Sequence, residues 1–171
     1  MPRFSLFLSA TSAVLALSAV APVSAQTISN AAQVQSGTYA VEPGHTQVGF
    51  SVLHFGFTNY FGAFSNASGT LEFNAKTPGA SKLSVTIPVA SVQTTSTKLT
   101  DELKSAQWFD AAKFPDATFV STNVKLNGQN NATIQGNLTL HGVTKPVTLA
   151  VHFIGAGVNP MDKKYTTGFE A

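Results

Sequence analysis

The chain has 171 residues, 43% hydrophobic and only 11% charged, with a formal net charge of +2 and no cysteine. That length supports one sizeable core, and the lack of cysteine excludes disulfide stapling and thiolate chemistry. Arg3 is the only arginine, and without it nine lysines face eight acids. The clustered basic surface and arginine forks that phosphate backbones call for are missing, so no nucleic acid partner is expected.

The N-terminus carries Arg3, an apolar run from Phe4 to Val20, and then Val23-Ser24-Ala25, with small residues where a signal peptidase needs them. This predicts a signal peptide over residues 1–25, cleaved after Ala25. Ser5, Ser9, Thr11, Ser12 and Ser18 interrupt the run, which makes it a poor membrane anchor. Residues 26–37 are small and polar and predict a short flexible tether, ahead of a single folded domain over 38–171.

Strand signals then dominate. Thr46 to His54, Tyr60 to Phe64, Gly69 to Asn74, Lys82 to Ala90, Ala117 to Leu126, Ala132 to Leu140, Pro146 to Ile154 and Lys164 to Phe169 are rich in Val, Ile, Thr and Phe and bounded by Gly, Asn or Pro. The pattern is all-β. Asn127-Gly128 and His141 to Lys145 read as hairpin loops, which predicts antiparallel neighbours. One short helix is expected near Leu99, Leu103 and Ala106, with Thr100-Asp101-Glu102 in its first turn and a stop at Phe114-Pro115. Trp108-Phe109 is expected to pin it to the sheet.

Alternation of side chains between the two faces of a strand assigns an inner face. Val48, Phe50, Val52 and His54 share one parity, Leu138 and Leu140 another strand's, and Val147, Leu149, Val151 and Phe153 a third's; His152 falls on the opposite face and is expected to be solvated. With Phe64, Phe73, Ile87 and Phe119, the residues Val48, Phe50, Val52, His54, Leu138, Leu140, Leu149, Val151 and Phe153 are the candidates to line an apolar lumen. His54 is read either as a satisfied rim histidine or as a polar contact for a ligand head group. Thirteen phenylalanines can fill a core or surround a narrow ligand, which an eight-stranded barrel is just wide enough to hold.

An ordered set of motifs carries a family resemblance. Tyr39-x-Val-x-Pro-x-His45-x-x-Val-x-Phe50-x-Val-x-His54-x-Gly56-Phe57 is followed by Gly62-x-Phe64 and Gly69-Thr-Leu-x-Phe73. Asp101-x-Leu103 comes next, then Trp108-Phe109-Asp110-x-x-Lys113-Phe114-Pro115, and finally Gly136-Asn-Leu-Thr-Leu-His141-Gly-Val-Thr-Lys-Pro-Val147. The set resembles the YceI-like lipid and polyisoprenoid-binding family from about Tyr39 to the end. The resemblance implies a periplasmic, lipocalin-like antiparallel β-barrel whose lumen takes a long-chain isoprenoid, a polyprenol or a quinone tail, with transient membrane contact compatible with that role. Two departures stand out. Thr100 occupies the position where the family usually has an arginine, and the family pattern continues past Ala171, so the closing C-terminal strands are expected to be missing.

Catalysis has little support in the residues. His45, His54, His141 and His152 show no metal-ligand spacing, and no nucleophile elbow, phosphate loop or dinucleotide fingerprint occurs. No metal and no cofactor is expected beyond the lipid itself, and the expectation is a binding protein rather than an enzyme. Two other classes remain open: a metal-assisted periplasmic enzyme using His45 and His54, and a ligand-free interaction module whose aromatics fill the lumen.

Overall fold

The computed structural model describes residues 27–171, so the expected signal peptide lies outside the described residues. In chain order the elements are β1 (Gly37–Ala40), β2 (Val48–His54), β3 (Thr58–Phe64), β4 (Ser68–Phe73), β5 (Lys82–Pro88), β6 (Gln93–Thr94), α1 (Thr97–Lys104), β7 (Asp116–Leu126), β8 (Asn131–Leu140), β9 (Val143–Val158) and β10 (Tyr165–Glu170). All strand pairings are antiparallel. Seven strands form one sheet in the order β1-β4-β5-β7-β8-β9-β10, and β2-β3-β6 form a second.

The large sheet curls into a nearly closed barrel for a local reason. Register shifts at Ser121/Asn123 on the β7–β8 pair and at Gly168/Phe169 on the β10–β9 pair insert extra residues, and such bulges bend a strand and increase its twist. The two ends of the sheet then meet through side chains. Tyr39 on β1 stands 6.3 Å from Tyr165 on β10, and Phe73 on β4 stands 6.4 Å from Phe169 on β10. Gln35 clips this seam: its N–H donates to the Tyr165 hydroxyl at 3.4 Å, and its carbonyl accepts from the Tyr39 hydroxyl at 2.6 Å.

The core has two centres, one toward each end of the barrel. Val34, Phe153 and Ala156 are buried together with Ile28, Tyr39, Phe73, Tyr165 and Phe169 around them. Ala67, Ile87, Val89 and Ala117 form the other, covered by Val48, Phe64, Phe109 and Leu140. The small sheet caps this second centre from the Val48–Phe64 end.

Three expectations need correction. The tether expected over 26–37 is not a plain one in its described part, residues 27–37: Ile28 exchanges backbone hydrogen bonds with Ala156 (2.7 and 3.0 Å), Ala31–Gln33 make a 3₁₀ turn, and Val34 is 3% exposed. Ile28, Ala31 and Val34 give the segment something to bury. The helix starts at Thr97, capped by Ser96, whose hydroxyl accepts from the Leu99 N–H at 3.3 Å. Asp101 and Glu102 therefore lie past the first turn and do not compensate the dipole there. Phe109, not the exposed Trp108, anchors the segment, 5.5 Å from the Phe64 ring.

Candidate ligand-binding site

The inner wall of the barrel follows from register. Leu71 faces Leu83, Val85 faces Phe119, Phe119 faces Leu138, Gly136 faces Val147 and Ile134 faces Leu149. These positions share one face of the curved sheet, so the concave side is a continuous apolar surface. Glycine shapes it at one place. An added Cβ at Gly136 would strike the Phe119 ring and come within 2.6 Å of the Val120 carbonyl oxygen. The hydrogen side chain lets Phe119 lie flat across β8, at 5% exposure.

A cleft of about 330 Å³ opens on this wall, lined by Leu138, Leu140, Val143, Lys145 and Val147 at the β8–β9 hairpin. The hairpin is tight because His141 (φ +52) and Gly142 (φ +72) take left-handed backbone conformations in a two-residue turn joining Leu140 to Val143. Strand β9 thus begins at Val143, within the stretch expected to be loop. It carries Lys145 onto the inner face opposite Leu138. Among the described residues no carboxylate pairs with Lys145, and its ammonium is the one charge on the cleft lining.

The expected lumen residues divide into four groups by place. Leu138 and Leu140 line the cleft, with Leu149 and Val151 farther along the same wall and half-buried. Phe73 and Phe153 belong to the seam-end core, and Val48, Phe64 and Ile87 to the opposite one. Phe119 is buried in the wall, while the Phe50 ring is tilted against that of Phe64, with centroids 5.6 Å apart, and covers Gly62. Val52 and His54 share the face of Val48 and Phe50 but sit on the projecting half of the β2–β3 hairpin. Val52 is 56% exposed, and the exposed His54 ring lies 4.3 Å from that of Phe55 and 6.4 Å from that of Tyr60. Sequence reasoning missed Val143, Val147 and Lys145 as cleft residues, although Val147 shares the parity of Leu149.

The histidines do not converge. His45 Nδ1 donates to Glu42 at 2.7 Å, and Glu42 also accepts the N–H groups of Gly44 and His45. The Gly44 N–H, then the His45 side chain, hold the Glu42 carboxyl below its ordinary range. His141 Nδ1 donates to the Phe109 carbonyl at 3.0 Å, and His152 is exposed and meets the Asn131 side-chain oxygen at 2.9 Å. No group of three His, Asp or Glu able to hold a metal occurs among the described residues. Thr100, where an arginine is usual in the resemblance, accepts the Thr94 N–H at 3.0 Å and ties β6 to α1.

A curled antiparallel sheet with an apolar concave face and one helix outside it is a barrel of the lipocalin-like class. The chain belongs to the YceI-like domain family, whose model matches residues 39–171. It is 41% identical over 140 residues to a UPF0312 protein of Ectopseudomonas mendocina, covering 81% of this chain and 73% of that one. It is 45% identical over 127 residues to Protein YceI of Escherichia coli, covering 74% of this chain and 65% of that protein's length. Among solved structures, Burkholderia cenocepacia BcnA superposes with a TM-score of 0.60 at 28% identity, covering 66% of this chain and 69% of that one. The Campylobacter jejuni YceI protein gives 0.58 at 32% identity, covering 77% and 76%.

Proposed function

We propose that this protein is exported to the periplasm and there binds a long-chain isoprenoid lipid, a polyprenol or a quinone tail, against the inner wall of its barrel. The observation that carries the reading is the 330 Å³ cleft on a continuous apolar face, with a single cation at its lining. That volume lies at the lower end for small-molecule sites, so the cleft suits one segment of a chain and the rest would follow the wall between the two core centres. Each methylene removed from water contributes about 0.8 kcal/mol, which favours retention without any charged contact. Catalysis plays no part in this reading.

The ligand-free interaction module is favoured by a different observation, the aromatic filling of both barrel ends by Phe73, Phe153 and Phe169 and by Phe50, Phe64 and Phe109. Mass spectrometry of an organic extract of the natively purified protein separates the two. Isoprenoid lipid at a stoichiometric level is the expected result, and a lipid-free extract would overturn the carrier reading. Val147→Trp, which fills the cleft from its lining, is expected to lower bound lipid several-fold. Thr148→Trp, on the opposite face and exposed, is expected to leave it unchanged. Export itself is tested by N-terminal sequencing of the mature protein, with Gln26 expected as its first residue.

A further inference from the structure

The β2–β3 hairpin ends in the most exposed aromatic residues of the described chain. Phe55 is 83% and Phe57 86% exposed; below them Leu53 (61%) and Phe61 (67%) lie on one face of the hairpin and Val52 (56%) on the other. Solvent-facing apolar residues gathered in this way mark a surface meant to be covered.

The backbone adds an independent observation. Phe55 has φ +50 and Gly56 φ +79, and the Phe57 N–H donates to the His54 carbonyl at 3.0 Å. Consecutive left-handed residues suit Asn, Asp or Gly; a bulky side chain there is strained. The chain thus holds a phenylalanine at the position where a turn least favours one, and its ring meets the exposed His54. Strain of this kind is retained at functional positions.

Charge and shape then select the occupant. Between Glu42 and Glu72 the sequence has no Asp, Glu, Lys or Arg, so no carboxylate, ammonium or guanidinium opposes transfer of this hairpin into an apolar medium. A protein partner or a second copy would cover one face, whereas apolar side chains on both faces and at the apex fit a medium that surrounds the tip. Phe50 is the last half-buried residue of β2, and the five residues from there to Phe55 extend about 16 Å. That exceeds the headgroup layer of a leaflet, which is roughly 5–8 Å thick. We propose that the Phe55-Gly56-Phe57 tip inserts into the interface of a neutral lipid bilayer and docks the barrel where its ligand is collected or delivered. The purpose assigned to this docking rests on the carrier reading, while the docking is measured apart from it.

The test is partition of the exported, natively purified protein onto phosphatidylcholine vesicles by co-sedimentation, at low and high salt. Wild type is expected to bind equally at both. Phe55→Asn combined with Phe57→Ser should reduce partition at least tenfold, at about tenfold per buried aromatic. Asn suits the positive φ, so this variant keeps the turn, which circular dichroism verifies. Met161→Ser, in the β9–β10 loop and 88% exposed, should bind as wild type does. A double variant that still binds like wild type overturns the proposal, as does wild-type binding that vanishes in high salt. A variant that changes only the oligomeric state in ultracentrifugation also overturns it, in favour of a second copy on the tip. Organic extraction of the same samples reads the carrier function separately: lipid present in the double variant together with lost vesicle binding supports docking, and lipid absent from wild type removes the carrier reading whatever the vesicles show.

Discussion

At the scale of single residues, the inner wall depends on what glycine omits. Phe119 crosses β8 over Gly136, and an alanine there would drive a methyl into a ring that is 5% exposed and has a backbone carbonyl behind it. Overpacking of this kind costs about 1–3 kcal/mol. Gly136→Ala is therefore expected to lower the unfolding free energy by that amount, read as a lower denaturant midpoint with little change in slope. Gly37→Ala, where an added Cβ meets nothing within 4 Å, is expected to be close to neutral. Strand parity places Gly136 on the apolar face with Ile134 and Leu138, and the structure has it buried there. The reason for a glycine was not legible, because the ring that requires it comes from the preceding strand. Parity also fails where a bulge intervenes. Ser121 and Val124 differ in parity and yet both are half-buried, since the register shift after Ser121 adds a residue between them.

At the scale of elements, long strands were legible and short ones were not. β7, β8 and β9 have enough Val, Ile, Thr and Phe to declare themselves, whereas β1, four residues, and β6, two residues, carry no such signal and exist through their partners β4 and β3. The N-terminal segment is the clearest case. Its polar composition reads as a tether, but the Asn130 side chain donates to the Ser29 carbonyl at 2.8 Å and accepts the Ala31 N–H at 3.1 Å. Those bonds hold Val34 over Phe153 and Ala156, and a contact across so many residues leaves no trace in local sequence. A strap and a tether differ in what Val34→Ala does. Losing two buried methyl groups from a site that is 3% exposed should cost roughly 2 kcal/mol, read as a lower midpoint in denaturant melts. A tether would give no change.

At the scale of the whole molecule, the barrel is held nearly closed by a seam of aromatic rings and by Gln35, whose backbone accepts from the Tyr39 hydroxyl of β1 and donates to the Tyr165 hydroxyl of β10. All-β character and an apolar lumen were readable from alternation; the seam was not, because Tyr39 and Tyr165 sit at opposite ends of the sequence and meet only once the sheet has curled. The cleft shares this origin, since its lining comes from one hairpin but its concavity comes from the whole sheet. The seam also makes closure sensitive to alkali. Burial first, and the neighbouring Tyr165 second, raise the Tyr39 hydroxyl above its ordinary value of 10.0. The folded state thus binds this proton more tightly than the unfolded state does. Its contribution to stability is full below pH 10, where both states keep the proton, and is lost as pH rises from there through the higher folded value. Ionised Tyr39 could no longer donate to the Gln35 carbonyl, so one of the two bonds by which Gln35 bridges the seam is lost with the proton. Tyr39→Phe removes the group and its linkage together. Stability of the variant should be lower than wild type by about 1 kcal/mol at neutral pH, the usual net worth of one hydrogen bond, and the gap should narrow as pH rises above 10 in parallel denaturant melts. The two proteins differ at this residue alone, so the difference between the two curves reads the Tyr39 hydroxyl and its contacts. A gap that stayed constant across that range would show that Tyr39 exchanges its proton no differently in the barrel than in the open chain.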